Sequence, residues 1–460
     1  MARLLLISTN ITVEPYLVYP LGMSVIAAAL QNSGHVVRQF DFLAEGESMD
    51  ALEQTLAEFK PDMTGISLRN IDNVDSFTSH ENWYLEHVRT ITAFLKIRGQ
   101  TVIVGGPGFS LMPETIIEYL GADHGVVGEG ERKMVQLVKM LEAGETPSRL
   151  LKPEQGLVSS EMCTPAWDTN ILNFYIDHSG IANIQTKRGC ENRCSYCSYP
   201  SIEGGKLRLR EPDEVVDEVE RLHLKHGAEF IFFTDSVFND SQNHYLEVAE
   251  LLARKNLALK WSAFFQPTPI SRGELKLLKR AGLSAMEVGT DASTDETLSA
   301  MNKPFLFEGV RAFNEACVSE HIPCAHFVIF GGPGETPATV CQGIDNLNSL
   351  ESCVVFPFSG IRLYKGTPLY AQAKKEGTVP TAQELLKPYY YFSPNIDQAW
   401  MNEELTKGFL GRRDRIFPPA DAQDRMDVLH RFGYRGLLWD TLVTFADTHK
   451  PKQARAKVSQ

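Results

Sequence analysis

Along residues 1–145, short apolar runs that read as strands alternate with longer stretches whose apolar positions recur every three to four residues and read as helices. The runs at 2–8, 36–42, 63–68, 101–104 and 125–127 predict strands, and the stretches at 21–31, 49–59, 84–96, 113–120 and 131–143 predict helices between them. Strict βα alternation implies a parallel sheet covered on both faces, a doubly wound Rossmann-type domain. Residues 146–180 sustain no period and carry Pro147, Pro153 and Pro165, so a linker is expected there. A second βα series begins at 181, with strands expected at 183–186, 230–234, 260–265, 285–289, 324–330 and 359–363. A helix at 212–224 opens with Pro212 and puts Val215, Val219 and Leu222 on one face. Six parallel strands with helices outside predict a partial (β/α)6 TIM-like barrel over 181–375, with ligands at the C-terminal strand ends. The period weakens over 376–460, where the aromatic run Tyr389, Tyr390, Tyr391, Phe392 and the segment 412–419 suggest a small mixed, helix-rich extension.

At 460 residues the chain exceeds one hydrophobic core, which agrees with this division into domains. No run of about 18 apolar residues occurs, and the opening stretch MARLLLISTN turns polar too early for a signal peptide, so a cytosolic protein without a membrane span is expected. A formal charge of −13, with no gathering of Lys and Arg before a basic tail at 450–457, argues against a nucleic-acid partner.

Eight cysteines in a large cytosolic protein are not a disulfide framework. Cys163, Cys317, Cys324, Cys341 and Cys353 are scattered and read as small apolar residues. Cys190, Cys194 and Cys197 instead crowd one loop in a CxxxCxxC pattern, with the aromatic Tyr196 just before the last thiol. Three thiolates can hold three irons of a [4Fe-4S] cluster and leave the fourth without a protein ligand, open for chemistry. Zinc would need a fourth ligand, for which His178 is the nearest candidate at an unusual spacing, and an electron-transfer cluster would need a fourth cysteine.

This loop, placed after the first barrel strand, resembles the signature of the radical S-adenosylmethionine (SAM) superfamily. The resemblance implies that SAM chelates the open iron, that one electron splits a carbon–sulfur bond, and that the resulting 5′-deoxyadenosyl radical abstracts a substrate hydrogen. It also implies a flavodoxin- or ferredoxin-type electron donor, and a monomer is expected. Other strand ends are similar to the family's SAM contacts: Asp235 and Ser236 after the second strand, Gln266 after the third, Asp291 and Ala292 in place of Glu and Ser after the fourth, and Ile329 with Gly331 on the fifth. Arg362 near the sixth strand is a candidate partner for a carboxylate, and Glu287 and His326 are expected to alternate into the barrel, with His326 more simply a satisfied core residue.

The N-terminal domain offers loops rich in Gly, Ser and Pro at its strand ends, including Ser67, Gly105, Gly106, Ser110, Gly128 and Glu129, but no GxGxxG at the first turn. It resembles the cobalamin-binding domain fused ahead of radical SAM barrels, with the Tyr19-Pro20-Leu21-Gly22 turn and the glycine loops in the same order. No DxHxxG follows the first strand, so no histidine stands ready to ligate cobalt from below. The resemblance nominates Arg69 and Asn70 for that lower face, where a cation excludes an axial ligand. A degenerate domain serving only as a platform is the plainer alternative. The resemblance implies methylation of an unactivated carbon, or of phosphorus, in a small molecule. Ring formation, rearrangement or oxidation without methyl transfer is the second reading, and a non-catalytic metal or electron-transfer protein is a third.

Overall fold

The N-terminal apolar runs pair as one sheet of six parallel strands in the spatial order Val36–Asp41, Arg3–Ser8, Met63–Ser67, Thr101–Gly105, His124–Val126 and Leu150–Leu151. The computed structural model describes residues 1–13, 16–78, 83–152, 156–379 and 384–445; Pro153 and the basic tail at 450–457 lie outside them. Leu4, Leu5, Leu6 and Ile7 are all buried, as a strand with helices on both faces requires. Winding reverses between Arg3–Ser8 and Met63–Ser67, and that switch point opens a crevice at the carboxyl ends of the strands.

The expected linker is more ordered than its proline content suggested. Leu150–Leu151 extends the first sheet, and Thr169–Ser179 is a helix. Asp168 caps that helix by accepting from the amides of Asn170 and Ile171, and Gly180 ends it in the left-handed region. Its Tyr175 is fully buried and donates to both carboxylate oxygens of Asp41 at 3.1 Å, which locks the helix against the second strand of the first sheet. The helix buries one stripe, Ile171, Leu172, Tyr175, Ile176 and Ser179, and the half-buried Phe174 off that stripe, with prolines ahead of the segment, blurs the period in the sequence.

The second sheet holds six parallel strands in sequence order: Ile181–Ile184, Phe230–Phe233, Lys260–Phe265, Met286–Asp291, Cys324–Phe330 and Val354–Ser359. Strands in consecutive order with helices outside form the partial barrel. The last strand lies earlier than the 359–363 expected. Its Pro357 is tolerated because the strand is at the sheet's edge, while Ile361–Arg362 leaves the barrel to pair antiparallel with Tyr390–Tyr391. Hydrophobic side chains divide cleanly by parity. Ala182, Ile184, Ile231 and Phe233 join the core under the helices, whereas Ile181, Phe230, Phe232, Ala285, Ala325, Val354 and Phe356 form a separate cluster inside the barrel, closed by Leu437, Leu438 and Trp439 of the C-terminal extension. His326 does not face that interior. Its two ring nitrogens pair with Thr290 Oγ1 at 2.8 Å and Asn314 Oδ1 at 3.1 Å on the helix side, and burial drives its pKa down to about 3.

Candidate functional site

Strand Ile181–Ile184 delivers the chain into the cysteine loop, and the short antiparallel pair Lys187–Arg188 with Arg208–Leu209 ties the loop's two ends together. Gly189 has φ 88°, and a Cβ on it would lie 2.1 Å from the carbonyl oxygen of Lys206, so glycine alone closes this turn. Beneath the loop, the fully buried Lys187 ammonium donates to Asp240 at 2.9 Å and to the Phe238 carbonyl at 2.8 Å. Asp235 accepts from the Thr186 and Lys187 amides at 2.7 and 3.2 Å. It is fully buried, and its oxygens brace the loop from behind; it does not face a ligand.

Cys190, Cys194 and Cys197 are half-buried and free. Burial pushes all three thiols up, Cys197 to about 12, and each thiol or its neighbours also feel one another's charge. Among the described residues no three His, Cys, Asp or Glu side chains gather around a point that one metal ion would occupy. The hydroxyls of Ser195 and Ser236 are buried without partners among the described residues, so donors are available beside the loop.

Lys303 is a site residue that the sequence did not disclose. Its ammonium lies 3.5 Å from Cys194 Sγ and forms an ion pair with Asp291. Burial opposes its charge, yet Asp291 and Cys194 together hold its pKa above the ordinary lysine range. Asp291 adopts φ 61° at a register shift in the fourth barrel strand, a left-handed conformation that aspartate tolerates. Its charge, on top of burial, raises the pKa of the nearby Tyr196 phenol. Asp291 is thus committed to Lys303, and Ala292 is buried beside it. Gln266 accepts from Asn192 Nδ2 of the loop at 2.5 Å. Ile329 is half-buried at the end of the fifth strand. Gly331 follows with φ 85°, and a Cβ there would meet the Phe392 ring at 2.8 Å, so packing of the extension also demands glycine. Arg362 pairs with a carboxylate, as expected, but with that of Asp72 in the N-terminal domain rather than one of a cofactor. It is fully buried, with Nε donating to Asp72 at 2.9 Å and its remaining nitrogens to the Leu363 and Leu385 carbonyls, which welds the barrel to the N-terminal domain.

Between the two domains lies a cavity of about 310 Å³. Tyr19, Gly22, Ser67, Gly105, Gly106, Gly128 and Glu129 line it from the N-terminal side, and Gln185, Arg188, Tyr199 and Glu203 from the barrel side. A Cβ on Gly22 would meet nothing within 4 Å, so a side chain there would take room from the cavity. Arg69 lines the cavity half-buried with no hydrogen-bond or ion-pair partner among the described residues; burial lowers its pKa, and Tyr16, Tyr175 and Tyr199 are its electrostatic neighbours. Asn70 turns into a separate crevice beside Asn10, and Ser110 stands behind the wall, accepting from the Gly128 amide at 2.8 Å. Glu129 bridges the halves: it accepts from Arg188 at 2.9 Å, from Arg208, and from the Leu157 amide at 3.0 Å. Arg188 also pairs with Glu131 at 2.7 Å, two residues before the first cysteine, so the cavity wall and the cysteine loop are one charged assembly. Among the described residues no histidine lines the cavity.

Residues 184–345 match the radical SAM superfamily model, and residues 7–138 match the B12 binding domain model. The chain thus carries a radical SAM domain preceded by a B12-binding domain, and it is an enzyme; the cofactors of these domains are a [4Fe-4S] cluster, SAM and cobalamin. The structure of the radical SAM methyltransferase TsrM from Kitasatospora setae with cobalamin and [4Fe-4S] cluster bound superposes with a TM-score of 0.83 at 24% identity, covering 96% of this chain and 97% of that one. The tryptophan 2-C-methyltransferase of Streptomyces laurentii is 24% identical over 75% of this chain and 70% of its own length. The cytidylyl-2-hydroxyethylphosphonate methyltransferase of Streptomyces wedmorensis is 23% identical over 88% of each chain. No helix among the described residues is long and apolar enough to cross a membrane.

Proposed function

We propose that the enzyme methylates an unactivated carbon, or phosphorus, of a small molecule held between its two domains. The observation that carries this reading is that the interdomain cavity reaches the residues flanking the cysteine loop, Arg188 before Cys190 and Tyr199 after Cys197. When bound, the cluster with SAM supplies one-electron cleavage of a carbon–sulfur bond, and cobalamin supplies methyl transfer.

The chain's own residues then have separable tasks. Cys190, Cys194 and Cys197 hold the cluster and leave one iron free. Lys303 keeps positive charge beside the Cys194 sulfur, and Ser236 offers an unspent hydroxyl toward the SAM site. Tyr19, Gly22, Ser67 and the Gly105-Gly106 and Gly128-Glu129 turns would wall a corrin in this cavity, and Arg69, without a hydrogen-bond or ion-pair partner among the described residues, would set a cation beside it. A flavodoxin- or ferredoxin-type protein supplies the electron to a monomeric, cytosolic enzyme. Two relatives are named as anaerobic magnesium-protoporphyrin IX monomethyl ester cyclases, the first at 25% identity over 63% of this chain and 54% of its own length, so the test must separate methyl transfer from other radical chemistry. After anaerobic reconstitution with hydroxocobalamin, mass spectrometry of the nucleosides is expected to show S-adenosylhomocysteine and 5′-deoxyadenosine in equal amounts per methyl group. A bound corrin with 5′-deoxyadenosine alone would end the methylation reading.

A further inference from the structure

Parity along the barrel strands sends one set of side chains into the interior, and above the closed base this set is aromatic. Phe232 and Phe264 meet edge to face at 5.1 Å, Tyr16 of the N-terminal domain approaches Phe232 at 5.9 Å, and Phe327 stacks between Phe356 at 5.3 Å and Phe358 at 6.4 Å. Phe264 sits on a central strand whose outer face is covered by helices through Ala263 and Phe265, yet it is 39% exposed. That exposure therefore opens inward, and the barrel contains reachable apolar space.

Within this aromatic wall stands one carboxylate. Glu287 faces inward from the fourth strand and is 6% exposed. One of its oxygens accepts from Trp439 Nε1 at 3.3 Å, and no Lys, Arg or His forms an ion pair with it among the described residues. Burial lifts its pKa to about 7, as the lack of a counter-cation requires. Asn183, of the same parity on the first strand, lines the interdomain cavity instead; its Oδ1 accepts from the Tyr19 amide at 3.3 Å and its Nδ2 has no partner among the described residues. The interior thus holds a carboxylate without a cation. That group is not explained by the fold alone, because a buried polar group without a charge partner costs free energy that an apolar replacement would not.

We infer that the barrel interior binds a substrate with a planar or apolar body and a protonated nitrogen, seated among Phe232, Phe264 and Phe327 with its ammonium on Glu287. Ring faces and a carboxylate act in the same direction on such a ligand: the quadrupoles attract the cation, and the carboxylate pairs with it where little water competes. A substrate carrying an anion at that end would place two negative charges in a low-dielectric space and be rejected. The inference uses the methyltransferase reading only to say that this ligand is a substrate; the recognition itself is independent of turnover.

The test is equilibrium binding to the full-length protein, reconstituted anaerobically with cluster and cobalamin, using three probes of similar shape: tryptamine, indole and indole-3-propionate. Tryptamine is expected to bind at least about tenfold more tightly than indole-3-propionate, as a charge-assisted pair allows. Glu287→Gln, which keeps an acceptor for Trp439, should weaken tryptamine by about tenfold while changing indole by less than about twofold. Phe264→Ala should weaken all three. Unchanged tryptamine affinity in E287Q, tighter binding of the acid by the wild type, or no binding of any probe would overturn the inference. The nucleoside products, measured separately, report on the methylation reading, so either proposal can fail without the other.

Discussion

Burial opposes charge at Cys190, Cys194, Cys197 and Lys303 around the cysteine loop, and Lys303 stays charged by pairing. Lys303 shows this most clearly, since Asp291 and Cys194 outweigh the desolvation of its ammonium. Removing that cation leaves the cluster sulfurs in a more negative setting. Lys303→Met is therefore expected to lower the cluster's reduction potential, read by an EPR-monitored redox titration, while iron content stays that of the wild type; an unchanged potential would remove Lys303 from the site. Glu287 shows the converse case, a buried carboxyl without a cation. Its folded-state pKa of about 7 lies above its ordinary value of 4.5, so the native state holds the proton more tightly than the unfolded chain does. Stability accordingly falls as pH rises from about 4.5 to 7 and stays reduced above. Glu287→Gln should raise the Tm at pH 8, by the equivalent of roughly 3 kcal/mol, and show an advantage shrinking toward zero by about pH 4. Equal Tm differences at both pH values would contradict this. Residues of this kind divide by what sequence can show. The cysteine spacing is local and announces itself, whereas Lys303 lies far along the chain from Cys194 and meets it only because the bend at Asp291 turns the fourth strand's end toward the loop.

Elements decide how firmly the two cofactor sites are held together. The Arg362–Asp72 pair is fully buried at the domain junction, and Arg362→Ala would leave Asp72 charged and unpaired there. A loss of about 3–5 kcal/mol is expected, measured by denaturant unfolding, while a loss within about 0.5 kcal/mol would mean that the junction is held elsewhere. Gly189→Ala introduces a Cβ against the Lys206 carbonyl at a positive φ. Fewer irons per chain after reconstitution are expected, with far-UV circular dichroism unchanged; full iron loading would show that the turn yields. At this scale the apolar runs of most strands and the stripe of the helix Pro212–His226 were legible in the sequence. The helix Thr169–Ser179 was not, although it buries the single stripe Ile171, Leu172, Tyr175, Ile176 and Ser179, because Phe174 off that stripe and the prolines ahead of the segment mask the period. The last barrel strand hid behind Pro357, which only an edge position permits.

For the whole molecule, the arrangement joins a switch-point crevice of one sheet to the C-terminal end of a second. Glu129, Arg188, Arg208 and Glu131 make that join electrostatic, and Tyr16 carries the N-terminal domain over the barrel interior. Such architecture makes sense for chemistry in which two cofactors and a substrate must meet out of water. Its central requirement is an iron left open by Cys190, Cys194 and Cys197. The direct measurement is the EPR spectrum of the anaerobically reconstituted, reduced protein before and after addition of SAM. A [4Fe-4S] signal that changes on binding SAM, and is lost in a Cys194→Ala variant, is the predicted result. A signal indifferent to SAM, or zinc in place of iron, would contradict the account.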